Sequence, residues 1–161
     1  MFFFSGNKAV VVPSSLTYSP KSIEVLEIED NSYNHSSVTK LKLSGLNRLR
    51  RIVIGSNCFG SVRVFELDGL SELESVVIGK KSITIVKTDV WYNGVDKRSD
   101  GSFRIVNCPK LKSIQIGDCS FADYHSFELN NLPSLQSIDI GRWCFHNAPS
   151  FSLTGLIDWL V

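Results

Sequence analysis

Two carboxylates held close together can cleave a sugar polymer, one as general acid and the other as base or nucleophile. The candidates in this chain are Asp118, Asp123 and Asp139, and their spacing does not let them converge: each occupies a different column of an internal repeat. Three histidines, His35, His125 and His146, are the next groups able to move protons near neutral pH. His125 and His146 stand 21 residues apart, out of step with the repeat, and His35 sits in a variable segment, so all three read as surface or turn residues. No triad, metal-ligand cluster or phosphate loop is spelled out. The sequence therefore assigns no catalytic residue, no cofactor and no metal ligand, and the chain reads as a non-enzyme.

Cys58, Cys108, Cys119 and Cys144 form no C-x-x-C pair, which argues against a zinc site and a redox motif. Cys119 and Cys144 lie 25 residues apart, one out of register, so in a ladder of extended segments they point to opposite faces. Free thiols are the expectation. The 17 basic and 16 acidic residues are interspersed and leave a net charge of +1, which argues against a nucleic-acid footprint or an anionic-membrane patch. No stretch approaches the roughly 20 apolar residues that span a bilayer, and the opening MFFFSGNKAVVV has no leader pattern. With no paired cysteines either, the cytoplasm is favoured; the cell surface is the alternative if the chain is part of a longer protein.

What positions these side chains is repetition. Leu135 to Phe145 (LQSIDIGRWCF) respells Leu111 to Phe121 (LKSIQIGDCSF), and the same spelling stands at Leu49 to Phe59 (LRRIVIGSNCF). Aligned copies read Ile23-Leu26-Ile28-Asn31-Tyr33, Leu49-Ile52-Ile54-Asn57-Phe59, Leu73-Val76-Ile78-Lys81-Ile83, Leu111-Ile114-Ile116-Cys119-Phe121 and Leu135-Ile138-Ile140-Trp143-Phe145. The apolar positions alternate with variable ones, the period of a half-buried strand. A second alternating segment follows in each unit, as in Phe65-Leu67-Leu70 and Phe127-Leu129-Leu132, and no 3.6-residue period long enough for a helix is present. A unit of this length cannot bury its own apolar face, so the copies must stack into a solenoid.

These units resemble the leucine-rich repeat, L-x-x-L-x-L-x-x-N-x-L, in a short 24-residue variant running from about Leu16 to Leu156. The I-x-I-G spelling followed by an aromatic is loosely similar to the BspA-like subclass. The resemblance implies a fold that is α/β by family and here mostly β. It would be a right-handed horseshoe-type solenoid with a parallel sheet on the concave side and short extended segments on the other. It implies that Asn31 and Asn57 turn the chain by bonding backbone groups and that Cys119 is a tolerated substitute. Lys81 and Trp143 depart from the pattern, so their turns must be closed some other way. The function implied is a non-enzymatic scaffold for a protein partner. The alternatives are a cell-surface adhesin or glycan-binding module and, with less support, a β-solenoid enzyme that cleaves polysaccharide.

Gly55, Gly79, Gly117 and Gly141 follow the last strand residue in four of the five units and read as a device for a bend or close approach. Ile54 to Ile78 and Ile116 to Ile140 are each 24 residues, but Ile78 to Ile116 is 38, so 14 extra residues fall between Ile85 and Phe103. Asn93-Gly94 and Asp100-Gly101 mark turns there. The insertion, about 86–100, reads as a protruding hairpin or loop, and Trp91 and Tyr92 make it a candidate partner contact.

The chain reads as one domain over 1–161: an N-terminal cap or degenerate unit at 1–22, five repeats over 23–156 and a C-terminal end at 157–161. Either that end belongs to a longer array or Trp159 and Leu160 fold over the last coil. End-to-end self-association through the C-terminal edge is a further expectation. On the outward strand face, Glu24, Arg50, Glu74, Lys112 and Gln136 form a column of alternating charge, each pairing worth about 0.2–1 kcal/mol. Arg50, Arg51, Val53 and Val77 combine arginine with exposed apolar residues and are the candidate contact patch. An individual function is expected where the repeat fails: Lys81, Trp143, the insertion and the C-terminal end.

Overall fold

The period-two alternation is realised as strands throughout. A computed structural model describes residues 23–85, 100–146 and 148–156, together with the backbone of 3–5 and 8–10. The elements are β1 (Phe3–Ser5), β2 (Lys8–Val10), β3 (Val25–Ile28), β4 (Lys40–Ser44), β5 (Arg51–Ile54) and β6 (Val64–Asp68), then β7 (Ser75–Ile78), β8 (Ser102–Val106), β9 (Ser113–Ile116), β10 (Ser126–Asn130), β11 (Ser137–Ile140) and β12 (Ser150–Thr154). Odd and even strands segregate into a seven-stranded sheet ordered β1-β2-β3-β5-β7-β9-β11 and a five-stranded sheet ordered β12-β10-β8-β6-β4. Every pairing is parallel except β1 with β2. The result is a mostly-β parallel solenoid of about five turns, with no helix among the described residues. The far side is therefore a full second sheet.

The core lies between the sheets. Leu26, Ile28, Ile52, Ile54, Val76, Ile78, Ile114 and Ile116 point into it from one side, and Leu41, Leu43, Phe65, Leu67, Phe103, Ile105, Phe127 and Leu129 from the other. Each contributes about 1.5–3 kcal/mol relative to exposure. Phe65, Phe103 and Phe127 stack with centroids 5.1 and 5.0 Å apart, and Phe121 and Phe145 meet them edge-on. The last coil differs: Phe151 and Leu153 of β12 are 58% and 53% exposed, whereas their counterparts in β4, Leu41 and Leu43, are 3% and 5% exposed.

The turn after each odd strand corrects an expectation. Lys81 (φ 55) and Trp143 (φ 65) adopt the same left-handed backbone as Asn31 (φ 61), Asn57 (φ 57) and Cys119 (φ 61). The conformation is imposed by the main chain. Asn31, Asn57, Lys81 and Cys119 each donate the backbone N–H to the next coil, to the carbonyls of Ser56, Lys80, Asp118 and Arg142 at 2.8–2.9 Å. The side chains of Asn31 and Asn57 bond each other, Asn57 Nδ2 donating to Asn31 Oδ1 at 2.7 Å. Four stacked backbone bonds offset a left-handed penalty of about 1–2 kcal/mol at residues other than glycine or asparagine.

Close stacking also explains the glycine column. A Cβ on Gly79 would lie 2.5 Å from the Ser56 nitrogen and 2.6 Å from the Gly55 carbonyl carbon. The glycines are thus packing devices. Both sheets run unbroken past the insertion, since Ile78 pairs with Ile116 and Phe65 with Phe103. Residues 86–99 themselves, and with them Trp91 and Tyr92, lie outside the described residues, as do Trp159 and Leu160 and most of the 1–22 cap.

Candidate functional site

The outer faces of the two sheets are built differently. On the five-stranded sheet, charged side chains pair across strands: Lys42 with Glu66 at 3.3 Å, and Arg104 with Glu128 at 3.0 Å, Asp68 at 3.8 Å and Glu66 at 3.9 Å. This face is occupied by its own ion pairs. On the seven-stranded sheet the pairs sit at the strand entrances, where Glu74 holds Arg50 at 2.6 Å and Lys112 at 3.4 Å. Glu24 takes Arg48 rather than Arg50, at 3.1 Å. Hydrogen bonds from Arg50 and then Lys112 hold the Glu74 carboxyl below its ordinary value.

Along the seven-stranded sheet from β3 to β11, the charged outward side chains of the strands are Glu27, Arg51 and Asp139. Parallel pairing sets Val53 beside Val77 and Arg51 beside Ser75, with Ser113 and Ser137 continuing the second row. Of the expected patch, Arg51, Val53 and Val77 are contiguous on this face, whereas the Arg50 guanidinium is engaged by Glu74.

The residues weighed for catalysis do not meet. Asp118 lies on the corner after β9, Asp123 is buried and bonded to the Thr84 hydroxyl, and Asp139 faces outward from β11. His35 Nδ1 is 2.9 Å from Ser37 Oγ, a local contact. Among the described residues no three His, Cys, Asp or Glu side chains cluster as a metal site, and no helix is long and apolar enough to cross a membrane. All four cysteines are free thiols.

Two of those thiols belong to a column that reading the repeat by its apolar positions missed. Between the paired left-handed residues of the five turns stand Ser32, Cys58, Ser82, Ser120 and Cys144, and each of the last four donates to a carbonyl of the preceding coil. The acceptors are Glu29 at 3.1 Å, Gly55 at 2.7 Å, Gly79 at 2.7 Å and Gly117 at 3.2 Å. Burial pushes the Cys144 thiol up to about 11, so it serves as a donor and not as a nucleophile. The signal in the sequence was chemical: serine and cysteine share a small donor side chain. At the opposite corner, Asn131 Nδ2 donates to Asn107 Oδ1 and Asn107 Nδ2 to Asp68 Oδ1, both at 2.9 Å, a second polar ladder.

The corner after the odd strands also holds a groove of about 400 Å³, lined by Lys80, Lys81, Asp118, Cys119, Arg142 and Trp143. Two of these, Lys81 and Trp143, are the residues that depart from the repeat, and stacking places them in one column two coils apart. Trp143 is 47% exposed, and its ring meets His146 edge-on with centroids 5.7 Å apart. Asp118 accepts the Arg142 backbone N–H at 2.9 Å and pairs with Lys80 at 3.5 Å. The Arg142 amide first, and then Lys80, hold the Asp118 carboxyl below its ordinary value, so it is ionised at neutral pH. No family model, curated protein or solved structure matches this chain.

Proposed function

We propose that this protein is a non-enzymatic scaffold of the leucine-rich-repeat type that binds a protein partner on the outer face of its seven-stranded sheet. In this reading the coil is right-handed and horseshoe-like, with that sheet concave. The supporting observation is the contrast between the faces: one is filled by the Lys42-Glu66-Arg104-Glu128 ladder, while the other sets Val53 between Glu27 and Val77 and continues the Arg51 row in serines. Arginine beside apolar area on a low-relief surface suits protein recognition. The insertion carrying Trp91 and Tyr92 is a second contact in the same reading, and end-to-end self-association would use the exposed Phe151 and Leu153.

Affinity capture with four forms of the chain tests it: unaltered, lacking 86–100, carrying Arg51→Glu with Val77→Asp, and carrying Lys42→Glu. Partners lost with the Arg51 and Val77 changes and kept with Lys42→Glu support the sheet face. Equal retention by all four forms sinks both contact sites.

The exposed Trp143 in the corner groove favours a second reading, an adhesin or glycan-binding module. A polysaccharide-cleaving enzyme lacks a comparable support, because Asp118, Asp123 and Asp139 occupy a corner, the interior and an outer face.

A further inference from the structure

The corner groove combines features that narrow its ligand. Lys80, Lys81 and Arg142 bring three positive charges to it and Asp118 one negative charge, so the lining carries a net charge of about plus two. Exposed cations attract anions weakly unless a second contact fixes the ligand. Trp143 supplies that contact: it is 47% exposed and lines the groove beside the cations. The ring packs nearly perpendicular to that of His146, at an interplanar angle of 76°.

The dimensions come from the coil repeat. Lys81, Cys119 and Trp143 occupy successive coils, and strand spacing of about 4.8 Å puts the two ends of the groove roughly 10 Å apart. A ligand that touches both must carry its negative charge some distance from its apolar face. Asp118 selects further. Its carboxylate accepts the Arg142 amide and faces Lys80, and its remaining lone pairs can accept from a hydroxyl. A nucleic-acid strand would need a series of aromatic platforms, whereas the lining of this groove has one. A ring with one apolar face, several hydroxyls and a single carboxylate meets each requirement.

We propose that the groove lined by Lys80, Lys81, Asp118, Arg142 and Trp143 binds an acidic saccharide of the uronic-acid type. Its carboxylate is set toward Lys81 and Arg142 and a sugar face lies on Trp143. This site is separate from the protein-binding face around Arg51 and gives the glycan-binding reading a place and a ligand class.

Titration of the full chain with a uronic-acid trisaccharide, followed by Trp fluorescence and by amide shifts in NMR, tests the proposal. Maltotriose and adenosine monophosphate serve as the neutral and phosphate probes. Binding of the uronate alone, with shifts confined to the corner and loss as salt rises, is the expected result. Trp143→Ala and Arg142→Gln should each weaken it at least tenfold, while Trp143→Phe retains most of it and Arg51→Glu leaves it unchanged. A thermal melt on every variant separates lost binding from lost folding. No uronate binding, equal binding of the phosphate probe, or indifference to Trp143→Ala in a folded chain overturns the proposal. Binding of maltotriose without the uronate overturns this ligand class while leaving the glycan-binding reading in place.

Discussion

The hydroxyl of Tyr124 donates to the backbone carbonyl of Val62 at 2.9 Å, and the two residues stand two coils apart in the stack. The coil between them carries the insertion and has Gly101 one residue past the matching place. A Cβ on Gly101 would come 3.0 Å from Tyr124 Cα and 3.3 Å from its ring. A wholly buried tyrosine thus lies across the coil that the insertion interrupts and ties its neighbours together.

Removing that tie should be measurable. Tyr124→Phe removes this buried hydrogen bond and should cost about 0.5–1.5 kcal/mol; Tyr124→Ala also removes the ring and should cost about 3–5 kcal/mol. Urea denaturation reads both. Equal stability of Tyr124→Phe and the unaltered chain would show that the hydroxyl contributes nothing.

Gly79 and Gly45 should respond differently to alanine. At Gly79 the added Cβ meets backbone at 2.5 Å, so the coils must separate, costing about 3 kcal/mol, the upper end for overpacking. At Gly45 nothing lies within 4 Å, and only the left-handed backbone (φ +69) opposes the change, at about 1–2 kcal/mol. A larger loss at Gly45 than at Gly79 in thermal melts would contradict the close-stacking account.

The donor column predicts an asymmetry at two aligned positions. Cys58→Ser keeps a donor to the Glu29 carbonyl and should change stability by less than about 1 kcal/mol, whereas Ser82→Ala strands the Gly55 carbonyl and should cost about 1–3 kcal/mol. Chemical denaturation of the two variants compares them. If Ser82→Ala is neutral, the column is a consequence of stacking and not a support for it.

Acid should weaken the chain through Glu74. Its folded pKa lies below the ordinary value of about 4.5, chiefly because Arg50 and Lys112 hydrogen-bond the charged form. The stabilisation is therefore fully present above the unfolded value and is lost as pH falls through the depressed folded value. Melting temperatures of the unaltered chain and Glu74→Gln should differ at pH 7 and converge toward pH 3. A gap that widens in acid would reverse the assigned sign.

The strand columns, their two segments per unit and the place of the 14 extra residues were legible in the sequence, because solenoid stacking repeats one local pattern at a fixed spacing. The charge column was legible too, and Arg50 and Lys112 do flank Glu74. Lys81 and Trp143 were visible as departures, but their consequence was misread: the backbone turns at both as it does at asparagine, and at Lys81 the hydrogen bond that supports the turn comes from the next coil. Side-chain identity at one position could not reveal a constraint supplied by another.

The amino-acid sequence by itself thus determined the period, the two-sided β architecture and the inward residues, all set by hydrophobic alternation along the chain. Only the tertiary structure decided which residues from different coils meet. Tyr124 with Val62, Ser82 with Gly55, and Lys81 with Trp143 on one groove are each separated by 27 to 62 positions. Stacking converts that separation into steps of about 4.8 Å, and the side chains that meet across those steps are fixed by reach and direction, which no repeat pattern records.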